Sequence, residues 1–292
     1  MYYSVNYMKN YHETYIRQAE IAQLIILNQL YNQRGSQSLI FQGGTALRWC
    51  YGGNRFSEDL DFVTHLSVSD VRPVLEAALK GMERVMIPHF GLGEFTLAEK
   101  QSRADSFKCF LNFRPEAARE KISVKFEVEG LVSGQLPQCQ NHVLSGLPSV
   151  AYLITTGDFR VPRPNAVIVA ETPAEILSDK VRSLIERRYL KGRDLFDVWY
   201  LRTVLKADVN IEITKNKFGM YRAPFTAQRS MDFFAKPSPK DKEALQSAVE
   251  QDLSRFLPPD VLTVWRNERF DAFISAARSL FTELKDKGVR LP

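Results

Sequence analysis

Apolar residues at Ile16, Ile21, Leu24, Ile25, Leu27 and Leu30 recur at helical spacing and Gly35 closes the segment, so Tyr15 to Tyr31 is predicted as one long amphipathic helix. Leu39-Ile40-Phe41 is a short apolar run that enters a double glycine, and helix formers follow from Thr45. The predicted order is strand, glycine turn, helix. Asp59 to Val63 alternates polar and apolar residues as a half-buried strand does, and Ser69 to Val85 reads as a second helix capped by Ser69 or Asp70. Phe107 to Phe113 and Ile122 to Val128 alternate likewise around the turn-like Arg114-Pro115-Glu116, which predicts an antiparallel pair. Gly130 to Pro164 is rich in Gly, Pro, Ser and Gln around a short apolar piece at Val150 to Ile154, and Val167-Ile168-Val169 adds a last strand. The character then changes. Thr172-Pro173-Ala174-Glu175 carries a capping residue, proline at the first helical position and glutamate at the third. From there the chain reads as helical almost to its end, punctuated by Pro237-Ser238-Pro239 and Pro258-Pro259. The pattern is α+β: a mixed sheet with flanking helices over residues 1–170, then a mainly helical domain over residues 171–292.

Composition narrows the class. A chain of 292 residues that is 45% hydrophobic is long enough for one large or two ordinary domains with buried cores. No stretch reaches the roughly 18 apolar residues of a membrane span, and Met1 to Asn10 lacks a basic segment followed by an apolar one, so a cytoplasmic protein is expected. Cys50, Cys109 and Cys139 are odd in number and widely spaced, which argues against a disulfide framework or a zinc site and leaves them as buried thiols. A net charge of +5 allows a nucleic-acid partner without requiring one.

The chemistry concentrates in two short runs. On a strand, residues two apart share a face, so Asp59 and Asp61 stand side by side while Leu60 and Phe62 face the core. Two such carboxylates repel, and a hard divalent cation that also takes substrate phosphates relieves the repulsion. Gly43 and Gly44 let a phosphate approach the backbone at the start of a helix, whose amides favour an anion. Each run alone is read equally well as an ordinary turn or a solvated strand edge. Both within 20 residues, in the order strand, turn, helix, strand, point to nucleotide chemistry. A third carboxylate comes from Glu127 or Glu129; Glu127, flanked by Phe126 and Val128, is preferred, against the alternative that both are the wet face of a strand. Lys180 and Arg187 share a helix face, and Asp194 and Asp197 open the next helix, where they serve either a site or the helix start. His12, His65, His89 and His142 fall outside these runs and are read as structural or exposed.

Gly43-Gly44-Thr45-Ala46-Leu47-Arg48, Arg55-Phe56-Ser57-Glu58-Asp59-Leu60-Asp61-Phe62 and the segment Glu175 to Leu201 with Asp179-Lys180, Leu184, Arg187 and Arg193-Asp194-Leu195-Phe196-Asp197 resemble the motifs of the AbiEii/AbiGii-type nucleotidyltransferases. These are toxins of type IV toxin-antitoxin and abortive-infection systems within the polymerase-β-like superfamily. The resemblance implies a polymerase-β-like mixed sheet followed by helices. It implies Mg²⁺ or Mn²⁺ on Asp59, Asp61 and Glu127, with a nucleoside triphosphate as substrate. Lys180 would contact the phosphates and Asp197 would serve as an essential acid; Gly43, Gly44, Thr45, Arg48, Ser57, Arg187 and Asp194 would bind substrate. The implied acceptor is an RNA 3′ end, most of all that of tRNA, with Arg182, Arg187, Arg188, Lys191 and Arg193 on its backbone. An antitoxin encoded nearby need not touch the toxin. Two alternatives stand beside this: transfer to a protein or small-molecule hydroxyl, and a nucleotide-binding regulator without catalysis, against which retention of both Asp59 and Asp61 speaks. Beyond about residue 205 no motif is matched.

Overall fold

The computed structural model describes residues 11–103 and 105–292. Met1 to Asn10, read above as lacking a leader, lie outside the described residues. In chain order the elements are α1 (Glu13–Tyr31), β1 (Ile40–Gln42), α2 (Gly43–Cys50), β2 (Asp59–Thr64), α3 (Val68–Leu79), α4 (Met82–Phe90), β3 (Gly93–Arg103), β4 (Ser106–Pro115) and β5 (Ile122–Gly130). They continue with β6 (Cys139–Val143), α5 (Pro148–Thr155), β7 (Val167–Glu171), α6 (Pro173–Glu186), α7 (Gly192–Trp199), α8 (Ile211–Gly219), α9 (Asp232–Ala235), α10 (Pro239–Phe256), α11 (Pro259–Asn267) and α12 (Asp271–Asp286).

The strands form one seven-stranded sheet in the order β3-β4-β5-β2-β1-β7-β6. It is mixed, with β2 parallel to β5 and β1 parallel to β7 while the other neighbours run antiparallel. Alternation gives the central strands two unlike faces. Phe41, Phe62 and Phe126 stack across β1, β2 and β5 with ring centroids 5.2 and 4.8 Å apart, and α1, α3 and α4 lie over that apolar layer. The other face of β2, β4 and β5 is polar and holds the site.

After Glu171 the described chain is helical apart from a single bridge between Leu131 and Tyr221. The prolines that punctuate this half are helix starts: Pro239 and Pro259 sit in the first turns of α10 and α11, and Ser238 and Asp241 close a capping box on α10. Trp199, Phe196, Trp265 and Phe273 interlock edge to face and tie α7 to α11 and α12.

Several expectations are corrected. The helix predicted over Ser69 to Val85 is two helices, because Gly81 takes a left-handed conformation (φ +77°) and interrupts the ladder, and its cap is Ser67. The two long apolar alternations had an unrecognised neighbour in β3, and β6 was hidden in polar, exposed sequence. Of the three cysteines Cys109 is buried, Cys50 is partly buried and Cys139 is exposed on the edge strand β6.

Candidate active site

Strand register builds the floor. Asp59 stands opposite Lys125 and Asp61 opposite Glu127 on β5, and on β4 Phe110 faces Lys125 while Lys108 faces Glu127. Opposed residues share a sheet face, so two rows, Phe110-Lys125-Asp59 and Lys108-Glu127-Asp61, cross three strands on the polar side. Glu127 is held between Lys108, at 2.9 Å, and Lys125. Lys125 and Arg193 stand 3.9 and 4.0 Å from the Asp59 carboxylate.

The glycine turn forms one wall. Gly43 is the first residue of α2 and has φ +78°, a conformation other residues rarely adopt. A Cβ there would sit 3.1 Å from Asp61 Oδ2. At Gly44 a Cβ would run into the Arg55 guanidinium and reach 2.9 Å from Ser57 Oγ. The helix cap, Gln42, makes no side-chain capping bond, and Gly43 and Gly44, which carry the first amides of α2 and their partial positive charge, line the cleft.

Helices α6 and α7 form the facing wall through a ladder of buried ion pairs. Arg55 makes a two-pronged contact with Asp197, both arms at 2.6 Å, and donates to the Phe56 carbonyl at 2.8 Å. Lys180 reaches Asp197 at 2.7 Å and Asp194 at 2.8 Å, and Arg187 closes on the other Asp194 oxygen. Burial alone would raise the Asp194 and Asp197 carboxyls. Arg187 and Lys180 hold Asp194 well below the usual carboxylate range, and Arg55 and Lys180 lower Asp197.

Asp61 differs from these two. No hydrogen bond or ion pair to its carboxylate is found among the described residues, and burial, then the charge of Asp59, pushes it up to about 6. A half-buried carboxylate pair in which Asp61 has no cationic partner of its own, with glycine keeping the space at Asp61 Oδ2 open, fits a hard divalent cation. Among the described residues no three His, Cys, Asp or Glu side chains converge into a ready cage. The two aspartates therefore supply only part of a coordination shell, as suits an ion that also takes phosphate oxygens.

A cleft of about 360 Å³ gathers most of the predicted residues: Gly43, Gly44, Ser57, Asp59, Asp61, Glu127, Lys180, Arg187 and Asp194 all line it. Three stand back from it. Thr45 is buried and its hydroxyl donates to the Asp59 carbonyl, Arg48 turns away to Glu20 and the Gly53 carbonyl, and Asp197 lies behind Arg55 and Lys180. Asp194 does not cap α7; it is spent on Lys180 and Arg187. Glu129, the second candidate for the third carboxylate, is half-buried and lines the cleft, and burial raises its carboxyl. None of the four histidines lines the cleft: His12 caps α1 and His89 accepts from the Arg160 amide.

Sequence reasoning missed Arg55, which sat inside a motif already singled out, and Tyr221, which lies where no motif was found. Arg182, expected on an RNA backbone, is buried with its guanidinium 4.0 Å over the Tyr221 ring, and both line the cleft. Only the long-range fold brings Tyr221 to Gln42 and Asp179, so no local signal announced it.

Two solved structures share the fold over nearly the whole chain. One is a Helicobacter pylori protein with a proposed nucleotidyltransferase role, at 18% identity and a TM-score of 0.53, covering 96% of this chain and 100% of that one. The other is JHP933 from Helicobacter pylori, at 18% identity and a TM-score of 0.54, covering 95% of this chain and 96% of that one. No curated protein matches the chain. The profile described as Nucleotidyl transferase AbiEii toxin, Type IV TA system, matches residues 25–276, and on that match, over most of its length, the chain belongs to this family of nucleotidyltransferase toxins.

Proposed function

We propose that the protein, a member of a nucleotidyltransferase toxin family, transfers a nucleotide from a nucleoside triphosphate to the 3′-terminal hydroxyl of an RNA, with tRNA as the acceptor that the motif resemblance implies. The observation that carries this reading is the meeting, in one cleft, of the Asp59-Asp61 pair with the open amide end of α2 and the guanidinium of Arg187. A divalent cation, magnesium or manganese, held by Asp59 and Asp61 would supply charge to the triphosphate and acidify the acceptor hydroxyl. The amides of Gly43 and Gly44 and the side chain of Arg187 bind the β and γ phosphates, and Arg55, fixed by Asp197, adds positive charge beside Gly44. Lys180 is spent largely on Asp194 and Asp197, so it positions these groups and reaches the phosphates from within the ladder. The acceptor oxygen bonds to the α-phosphorus as the bond from that phosphorus to the α–β bridging oxygen breaks; pyrophosphate leaves and the hydroxyl proton passes to water. No side-chain nucleophile takes part. An antitoxin encoded nearby would oppose the effect without having to touch the enzyme.

The test is incubation with Mg²⁺, total RNA and each α-labelled nucleoside triphosphate in turn, beside the Asp59→Asn/Asp61→Asn variant. Label on RNA with the intact carboxylates alone is the expected result and identifies the nucleotide. Label on protein or on a small molecule, with none on RNA, would overturn the RNA acceptor; bound nucleotide with no transfer at all would return the chain to a binding role.

A further inference from the structure

A second cavity, of about 390 Å³, adjoins the nucleotide cleft, and Asp59 and Arg193 line both. Its lining is otherwise different in kind. Lys100, Lys125, Lys191 and Arg255 supply positive charge, Tyr15, Phe56 and Phe110 supply rings, and Glu58 and Asp252 are the acids besides Asp59. Much of that charge is already matched: Arg255 pairs with Glu58 at 3.0 Å, and Lys125 with Glu127. Lys100 and Lys191 have no ion-pair partner among the described residues.

The two lysines are placed by the fold. Lys100 is the extra residue of a β-bulge, since Glu99 pairs with Cys109 and Gln101 with Lys108, and its ammonium lies 5.7 Å from the Phe110 ring centroid. Phe110 begins the row that runs through Lys125 to Asp59. Lys191 lies in the link between α6 and α7, and burial, then Arg193 and Arg187, lowers its ammonium to about 8. Two lysines without an ion-pair partner among the described residues, together with the rings of Tyr15 and Phe110, therefore line a cavity that shares the Asp59 carboxylate with the nucleotide cleft.

Cations that track a phosphate backbone and rings on which bases stack are how proteins hold single-stranded nucleic acid. A protein hydroxyl would bring no phosphates to Lys100 and Lys191. Resting on the polynucleotide acceptor proposed above, we infer that this second cavity is the acceptor seat. It holds the last nucleotides of a single-stranded RNA 3′ end, with Lys100 and Lys191 on the backbone and Phe110 and Tyr15 against the bases. The terminal hydroxyl thus arrives at Asp59 from this cavity while the triphosphate occupies the cleft.

The test is steady-state transfer to purified tRNA by the full chain, the Lys100→Glu/Lys191→Ala variant and a variant with the same change in net charge on exposed positions of α10, Lys240→Glu/Lys242→Ala. The expected result is a KM for tRNA raised about tenfold in the cavity variant, with a salt slope smaller by about 1.4, two phosphate contacts at about 0.7 each. The nucleotide Kd without RNA and the melting temperature stay as in the parent, and the α10 variant behaves as the parent. An unchanged KM and salt slope in the cavity variant, while the parent labels tRNA, would overturn the seat alone, as would an equal effect in the α10 variant. A parent that labels no RNA with any nucleotide would overturn the RNA acceptor itself and the seat with it.

Discussion

Ionising Asp61 sets a second negative charge beside Asp59 in the half-buried floor, and burial together with that neighbour lifts its carboxyl from the ordinary 3.8 to about 6. The folded protein thus binds this proton more tightly than the unfolded chain, so the group withdraws stability as pH rises from about 4 to 6. Asp61→Asn should therefore stabilise the metal-free protein at pH 7.5 by about 2–3 kcal/mol, with the gain vanishing near pH 4, while transfer activity is abolished. Urea melts at the two pH values check it; an equal gain at both would mean that charge is not the cause. Gly44→Ala works by space, since its methyl group meets the Arg55 guanidinium and Ser57. It should raise the Kd for nucleotide at least tenfold with the fold retained by circular dichroism. These residues were legible in the sequence because each acts through a short spacing: two carboxylates two apart on a strand, two glycines before a helix. Arg55 lies in the same run, but nothing local tells an arginine that anchors an aspartate 142 positions away from one that faces water.

Between elements, the ladder Arg55-Asp197-Lys180-Asp194-Arg187 joins the loop before β2 to α6 and α7. Removing one member of a buried set leaves its partners short of charge, which costs more than the set contributes when whole. Lys180→Met should destabilise the protein by about 3 kcal/mol and abolish transfer, and adding Asp194→Asn should return part of the stability without the activity. A Lys180→Met protein that melts like the parent would show that Lys180 serves the substrate alone. Gly192 sets the same helix from the other side: a Cβ there would collide with the backbone of Ala248 and Val249 on α10. Gly192→Ala should push α7 away from α10, shift Arg193 and Asp194, and lower both the melting temperature and nucleotide affinity. Elements with a strong period, α1, β2, β4, β5 and the start of α6, were legible because their apolar faces meet the core directly. The edge strands were not: β6 is mostly exposed and has a polar centre, Gln140-Asn141-His142, with no apolar alternation, and it is a strand because β7 offers it a ladder.

At the scale of the molecule, the part of the chain beyond about residue 205, where no motif is matched, returns to complete the site. Lys217 on α8 is fully buried and meets Glu171 on β7 at 2.8 Å and Glu175 and Asp179 on α6 at 2.9 and 2.8 Å. Tyr221, four residues on, donates to Asp179 and reaches Gln42 at the mouth of the glycine turn. Burial, then Asp179, pushes the Glu171 carboxyl well up, whereas Lys217 outweighs burial and holds Asp179 below the ordinary carboxylate range. One lysine thus fixes the end of the sheet and the first two turns of the helix that carries Lys180. Lys217→Met would strand Asp179 and Glu175 in the interior, and the expected loss is about 3–5 kcal/mol at pH 7.5. Asp179 contributes its stability above its unfolded pKa and loses it as pH falls, and without Lys217 it takes up a proton instead. The deficit of the variant should therefore narrow below about pH 5, and nucleotide affinity should drop because the wall that holds Asp179 and Lys180 shifts. Paired urea melts at pH 7.5 and 4.5 decide the matter: a deficit under about 1 kcal/mol at pH 7.5 would mean that water replaces the lysine and that the cluster does not hold the cleft together.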